Sequence, residues 1–404
     1  LLCVDDRPCT FVEALLRRRD VVPVLLRIQQ VLGDLPEWYR ERTLDTATFV
    51  LDAERPLAEE ARRLKDWWAG RRLGRPHFCN PSEPRQRLAQ RFARLLGLPA
   101  LSEDQVVWLR HKPSMKAKLA RLGFAVARHA VTRSRAELVA FAQRCGWPMV
   151  VKPVEGFACI DTHLLAGVEQ LAAIDTGREW LAEEYIPDRE YECCALIFAG
   201  RVLDTYLSCF PAPPLQATDG AINANISARR LPEGFSIDLR AMVQHIVDGM
   251  RLDHGYLHLE FFARADGSYR IGEVALRLAG CEIPANHGLA YGFDIFDALI
   301  DIHLGFRPRL DYTRERCVGD LLLPAKPGLV LDITPMPELL AMQGVIAGRL
   351  KVAPGEVIAP RRASHAAAGF VHVEGDTVAE VEQRMQRVLS RFRLTVAEPA
   401  TADR

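Results

Sequence analysis

The sequence predicts an α/β protein made of several α+β lobes. Two observations carry this. Strand-like and helix-like stretches alternate along the whole chain. At 404 residues the chain is also too long for one ordinary core, so two to four compact units are expected. Hydrophobic residues at 49% and charged residues at 26% are ordinary for a globular protein. The 52 Lys and Arg residues are balanced by 52 Asp and Glu. That leaves no bulk electrostatic attraction for nucleic acid or an anionic membrane, and neither is expected as a partner.

Four segments are expected: an N-terminal α/β domain over 1–107, then 108–190, 191–310, and a C-terminal α/β subdomain over 311–404. The chain opens on an apolar strand, Leu1-Leu2-Cys3-Val4, with no initiator Met and no signal-peptide pattern; a few residues are expected to precede it. Val21 to Ile28 reads as a strand. Glu83 to Leu96 reads as an amphipathic helix with Pro84 near its start and Gly97 beyond its end. Ser102 with Gln105 is a capping-box pattern. Pro113 begins a helix running to about Gly123, and Phe124 to Thr132 follows as a strand. Ser134 with Glu137 forms another capping box, for a helix stopping at Gly146. Met149-Val150-Val151-Lys152 is a buried strand with a lysine at its end. A helix near Leu239 to Met250 precedes a hairpin of Tyr256–Arg264 and Ser268–Val274, turned by Asp266-Gly267. Val378 to Phe392 is a helix capped by Thr377 and Glu380.

No apolar run is long enough to span a bilayer. The ten cysteines include one adjacent pair, Cys193 and Cys194, but no C-x-x-C spacing and no Cys/His cluster of metal-ligand type. Reduced thiols, a cytoplasmic setting and no zinc are therefore expected.

The hairpin carries the first chemical signal. Glu260 and Glu273 lie on partner strands across its turn, where both carboxylates can face one cleft as hard oxygen ligands for Mg²⁺. Arg277 follows and can grip anionic oxygens by bidentate contact. Taken alone, the two glutamates read equally well as solvated strand residues. Lys152, followed by Pro153 and Gly156, suggests phosphate binding, although by itself a lysine snorkelling at a strand end is the stronger reading. Lys112 is similar and weaker. Glu183-Glu184-Tyr185-Ile186 followed by Glu190 offers polar, then apolar residues for a purine, then a carboxylate for ribose hydroxyls.

In combination and in order, these pieces resemble the ATP-grasp superfamily, and within it the carboxylate–amine ligases of the L-amino-acid-ligase type. Arg110-His111-Lys112-Pro113-Ser114-Met115-Lys116 resembles its R-D-K-x-x-M-K helix start. Trp147-Pro148-Met149-Val150-Val151-Lys152-Pro153 resembles its lysine-bearing strand. Glu183 to Ile186 with Glu190 resembles its E-E-Y-I hinge. His258-Leu259-Glu260-Phe261 and Glu273 to Gly280 resemble H-x-E-F and E-I-N-x-R-x-x-G. The match covers roughly residues 100 to 310.

The resemblance implies a fold with an N-terminal Rossmann-like lobe, a mobile lid lobe over 108–190 and a C-terminal lobe. It implies ATP and Mg²⁺ as cofactors, with Mn²⁺ as an alternative metal, and small-molecule carboxylate and amine substrates; it is compatible with a homodimer. Lys112 and Lys152 would hold the α- and β-phosphates. Gly156 and Cys159 would lie in the phosphate-covering loop. Glu183 and the backbone of Glu184, Tyr185 and Ile186 would receive adenine, and Glu190 the ribose. Glu260 and Glu273 would bind Mg²⁺. Arg277 would act at the γ-phosphate and acyl phosphate, with His258 either assisting or simply packed in its strand.

Three positions depart from the family pattern. His111 replaces an Asp. The loop Glu155 to Thr162 has one glycine, with Cys159 where Ser or Gly is common. Ala275 replaces an Asn that supplies a metal oxygen, which leaves open whether one or two ions bind. Residues 280–287 are candidates to face substrate. Arg229 and Arg230 are candidates for a substrate carboxylate, although a solvated pair at a loop is the stronger reading. The implied reaction transfers the γ-phosphoryl group to a carboxylate, and an amine then displaces phosphate. The alternatives are an acyl-phosphate-forming enzyme with a non-amine acceptor, such as a carboxylase, and a non-catalytic ATP-binding scaffold.

Overall fold

The computed structural model describes residues 1–217, 221–228, 237–264, 266–360 and 366–397; Arg229 and Arg230 lie outside them. The first lobe comprises β1 (Leu2–Val4), α1 (Thr10–Arg17), β2 (Val24–Ile28), α2 (Glu37–Arg42), β3 (Thr48–Leu51), α3 (Leu57–Gly70), β4 (Phe78–Cys79) and α4 (Gln86–Leu96). Its four strands form a parallel sheet in the order β3-β2-β1-β4. β1 and β2 are buried at every position, as parallel strands covered on both faces are. Helix α4 starts at Gln86, not Glu83, and ends at Gly97 with φ +75°, a left-handed conformation that glycine adopts freely.

The second group is α5 (Glu103–Arg110), α6 (Lys112–Arg121), β5 (His129–Thr132), α7 (Arg135–Cys145), β6 (Met149–Pro153), β7 (His163–Leu165) and β8 (Trp180–Glu184). The strands form an antiparallel sheet, β5-β8-β6-β7. Ser102 completes its capping box with Gln105. Ser134 makes half of one: its side chain accepts the Glu137 N–H, but the Glu137 carboxylate takes the N–H of Arg133, one residue early. The strand expected over Phe124–Thr132 begins only at His129. The residues before it run along another sheet instead, where Val126 bridges Ile271 and the Ile271 N–H bonds the Ala125 carbonyl at 2.9 Å.

The remainder is β9 (Arg189–Phe198), β10 (Arg201–Cys209), α8 (Pro214–Ala217), β11 (Ala224–Ser227), α9 (Leu239–Met250), β12 (Gly255–Ala263), β13 (Tyr269–Leu276), α10 (Ile283–Tyr291), α11 (Ile295–Leu304), β14 (Cys317–Leu323), β15 (Gly328–Ile333), α12 (Met336–Leu340), β16 (Val345–Leu350), β17 (Val357–Ile358), β18 (Gly369–Gly375), α13 (Val378–Arg391) and β19 (Leu394–Ala397). Eight of these strands form one sheet, β13-β12-β9-β10-β11-β14-β18-β16, so β14, β16 and β18 continue the sheet that β9–β13 begin.

One face of this sheet is apolar and packs on α9 and α13 through Val243, Ile246, Val381 and Met385. The other carries Cys194, Leu196, Tyr206 and Tyr256 against α1, α10 and α11. Gly319 on β14 marks how closely α13 approaches: a Cβ there would lie 2.5 Å from Met385 Cε and 2.8 Å from the Asn225 carbonyl. The Gly319→Ala variant should lose about 1–3 kcal/mol by overpacking. Urea denaturation measures this, and a change within 0.3 kcal/mol, about the scatter of such measurements, would disprove the close fit.

Candidate active site

Strand register builds the site. Glu260 on β12 pairs directly with Glu273 on β13 across the hairpin. A bulge leaves Gly272 unmatched, because Phe261 pairs with Ile271. On its other side Glu260 pairs with Glu192, and Glu192 pairs with Ser208. Ser208 faces Ser227, and two residues along the same face of β11 Asn225 pairs with Asp320, which pairs with His372. A row of polar side chains thus crosses the sheet, and most of it lines a cavity of 460 Å³, within the usual size of a small-molecule site.

Cations reach this row from other elements. Lys112, in the first turn of α6, places Nζ 3.0 Å from Glu273 Oε2 and 3.3 Å from the Gly156 carbonyl. One turn on, Lys116 is fully buried, 2.9 Å from Glu183 Oε1 and 3.2 Å from the Gly272 carbonyl. Lys152 at the end of β6 lies 2.8 Å from Glu183 Oε2. Burial alone would raise the Glu183 carboxyl, but the ammonium groups of Lys116 and Lys152 outweigh it and hold the pKa at about 2. Burial disfavours charge on Lys152, yet Glu183 raises its pKa above the usual lysine value. Burial likewise opposes ionisation of Glu273, and Lys112, Arg277 and Lys152 reverse it, so its pKa falls. Arg277 lies 2.8 Å from Glu83 Oε2, and Arg110 pairs with the same glutamate.

His258 is buried with both ring nitrogens engaged: Nδ1 is 2.8 Å from Glu192 Oε1 and Nε2 3.1 Å from Glu260 Oε1. Burial pulls its pKa down, but chiefly Glu192 lifts it to about 10, so at neutral pH it is an imidazolium donating to two carboxylates. The Cys194 thiol donates to Glu192 Oε1 at 2.8 Å. Glu192, Cys194 and His258 lie within 4.8 Å of one another, a Cys/His grouping that no spacing in the sequence discloses. Burial, followed by Glu192, pushes the Cys194 thiol well above its usual value, which keeps it a donor and not a metal-binding thiolate.

The hinge is held by its second glutamate. Glu184 accepts from the Arg128 backbone and guanidinium, while its own N–H bonds the Arg128 carbonyl. Among the described residues Tyr185 and Ile186 give their N–H groups to no backbone acceptor. Glu190 pairs with Phe262 of β12, and burial, then Glu260, raises its carboxyl. In the loop after β6 the left-handed conformations fall on Ala158, Cys159 and Asp161, at φ 52°, 54° and 55°, and not on Gly156. Burial lifts the Cys159 thiol to about 12. His111 stands at the N-cap position of α6 without a side-chain cap to the backbone, and its Nδ1 lies 2.8 Å from Ser114 Oγ. Ala275 is 2% exposed and faces His258.

A family model described as "L-amino acid ligase C-terminal domain 2" matches residues 321–397. The L-arginine-specific L-amino acid ligase of Bacillus subtilis is 24% identical over 280 residues, 66% of this chain and 67% of that protein. The crystal structure of L-amino acid ligase from Bacillus licheniformis superposes with a TM-score of 0.76 at 16% identity, covering 98% of both chains. That of N5-carboxyaminoimidazole ribonucleotide synthetase from Thermotoga maritima gives 0.68 at 12% identity, covering 98% and 99%. The chain has the ATP-grasp fold. Its fold is that of these structures along nearly its whole length, and its relatives support ATP-dependent joining of a carboxylate to an amine.

Lys112, Lys152, Glu260, Glu273 and Arg277 line one cavity together with Glu183 to Ile186. The Glu183 carboxylate faces lysines, which leaves the backbone at Tyr185 and Ile186 as the part open to a base. Sequence reasoning missed Lys116, although it stands four residues after Lys112, one helical turn away on the same face. It also missed Glu83 and Glu192, which carry no local signal. No helix among the described residues is long and apolar enough to cross a membrane.

Glu183 has a depressed folded pKa, so its stabilising contribution is fully present above about 4.5 and is lost as pH falls through about 2. Glu183→Gln should cost about 3 kcal/mol at pH 7, and the difference from wild type should shrink by pH 3. Urea titrations at the two pH values test this; a difference that grows in acid would contradict it. Gly156→Ala should be tolerated, since its φ is not left-handed and a Cβ meets only Pro153 at 3.6 Å. A fall of more than about 1 kcal/mol in its stability would refute that.

Proposed function

We propose that the chain activates a carboxylic acid, that of an amino acid, as its acyl phosphate and joins it to the amine of a second small molecule, releasing ADP and phosphate. What chiefly supports this is one cavity lined by Lys112, Lys152 and Arg277 together with two carboxylates that pair in register, Glu260 and Glu273, the second of them 3.0 Å from Lys112. Cations placed around transferred phosphoryl oxygens, with nothing covalent from the protein, are what phosphoryl transfer requires.

The donor set suits a hard divalent ion. Glu260 and Glu273 are adjacent carboxylates. Each commits one oxygen, to His258 and to Lys112 respectively, and makes no ion pair or hydrogen bond through the other among the described residues. These two residues would hold Mg²⁺. When bound, the ion neutralises charge on the nucleotide's phosphates. Lys112 and Lys152 hold the α- and β-phosphates, the backbone from Glu184 to Ile186 takes adenine, and Glu190 takes ribose. Gly156 and Cys159 sit in the loop that covers the phosphates as the lid segment, 108–190, excludes water. Arg277 steadies the acyl phosphate. His258, protonated and bound at both nitrogens, has no lone pair for base catalysis; it fixes the rotamer of Glu260.

Incubating the protein with Mg·ATP, hydroxylamine and single amino acids, and measuring ADP and hydroxamate, tests the reading. Glu273→Gln should lower the rate by about 100-fold or more, and nucleotide affinity should change far less in calorimetry. Near-wild-type hydroxamate formation by this variant across a Mg²⁺ titration would remove Glu273 from the metal site.

A further inference from the structure

At the far end of the polar row from Glu273, the cavity closes on Asp320, Asn225 and Glu282. Asp320 is 1% exposed. Its Oδ1 accepts from Asn286 Nδ2 at 2.6 Å, and its Oδ2 faces the Glu282 N–H at 3.4 Å. Among the described residues no arginine or lysine pairs with it. The other buried carboxylates do contact a cation: Asp5 with Arg27, Glu60 with Arg63, Glu83 with Arg110, Glu183 with two lysines, and Glu192 with the imidazolium of His258. A buried carboxylate without a cation is costly to ionise.

The cations that line this end, Arg349 and Lys351, act on Glu282, and neither pairs with Asp320 among the described residues. His372 gives its Nδ1 to Asn286 Oδ1 at 2.7 Å, and burial lowers its pKa to about 4, so it is neutral. On β16 and just beyond, Arg349 pairs with Glu13 at 3.2 Å, and Lys351 sits 5.6 Å over the Phe370 ring. Burial, reinforced by Glu282, pushes Asp320 up to about 7. Beside it Asn225 is 2% exposed and lines the same cavity, and among the described residues both polar atoms of its side chain lack a partner. Polar atoms so buried are almost always bonded, so an unbonded amide next to an unpaired carboxylate marks a place for a polar, cationic ligand group.

Distance along the sheet indicates which group this is. β14 lies three strands beyond β9, about 14 Å at normal strand spacing, and Arg277 and Glu260 lie on the other side of β9. That is the reach of a long side chain, not of an α-ammonium at the reacting carbonyl. We propose that Asp320 and Asn225, with Glu282 beside them, form a specificity subsite for the cationic side chain, guanidinium or ammonium, of an amino-acid substrate. This rests on the ligase reading and adds the substrate class: a basic amino acid. A guanidinium gives one N–H edge to the Asp320 carboxylate and another N–H to the Asn225 carbonyl oxygen. Binding also relieves the repulsion between Asp320 and Glu282.

The test is amide formation with Mg·ATP from alanine paired with arginine, lysine or citrulline. Citrulline has the shape of arginine without its charge. The readout is the kcat/KM ratio of arginine to citrulline, which does not depend on the fraction of correctly folded enzyme. Wild type should favour arginine by about 100-fold, and Asp320→Asn should cut the ratio at least about tenfold. Asn225→Leu should move it the same way. A ratio near one in wild type, or one unchanged in Asp320→Asn, overturns the subsite while leaving the ligase reading intact. No ADP or amide from any pair of standard amino acids overturns both.

Discussion

The structure depends on keeping buried carboxylates charged. One face of the eight-stranded sheet carries Glu273, Glu260, Glu192 and Asp320 in a row, and like charges so placed repel and resist burial. Glu273, Glu260 and Glu192 are tolerated because cations meet them, Lys112 from α6 and His258 from within the row itself, while Lys116 of the same helix holds Glu183 of the small sheet. Opposite charges on separate elements therefore do here what apolar packing does elsewhere, and tie the small antiparallel sheet and α6 to the large one. The same arrangement gives the cleft its balance of cations and carboxylates.

That balance has a functional consequence. Lysines already neutralised by glutamates keep their charge in a buried place, where lone ammonium groups would lose their protons. Lys152 on Glu183 is an example: burial opposes its charge, and the carboxylate raises its pKa above the usual lysine value. Charge is thus stored in the cleft in a form that phosphate oxygens can draw on without a large change in protein geometry.

Much of this was legible in the sequence where a signal is local. The Ser102 capping box, the Gly97 stop and the Asp266-Gly267 hairpin turn need only a few adjacent residues, and each formed where read. The hairpin itself was legible, but its turn does not set the pairing of Glu260 with Glu273: Ala263 to Phe261 pair with Tyr269 to Ile271, and only the bulge at Gly272 brings Glu273 opposite Glu260. The strand read from Phe124 failed for the complementary reason: its β-rich pattern was real, but its partner is the edge of a different sheet, at Ile271. The half-formed box at Ser134 shows how one residue of offset redirects a carboxylate.

The sequence by itself determined the alternation of strands and helices, the lysine-bearing strand, the acidic hairpin and the resemblance they carry together. All are encoded within short windows, where backbone geometry fixes which residues neighbour each other. Only the tertiary structure decided that Glu83 meets Arg277, that Glu192 meets His258, and that Asp320 ends the row beside Asn225 without a cation. Those contacts join positions up to about two hundred residues apart. They depend on the order in which strands enter the sheet, and no local propensity sets that order.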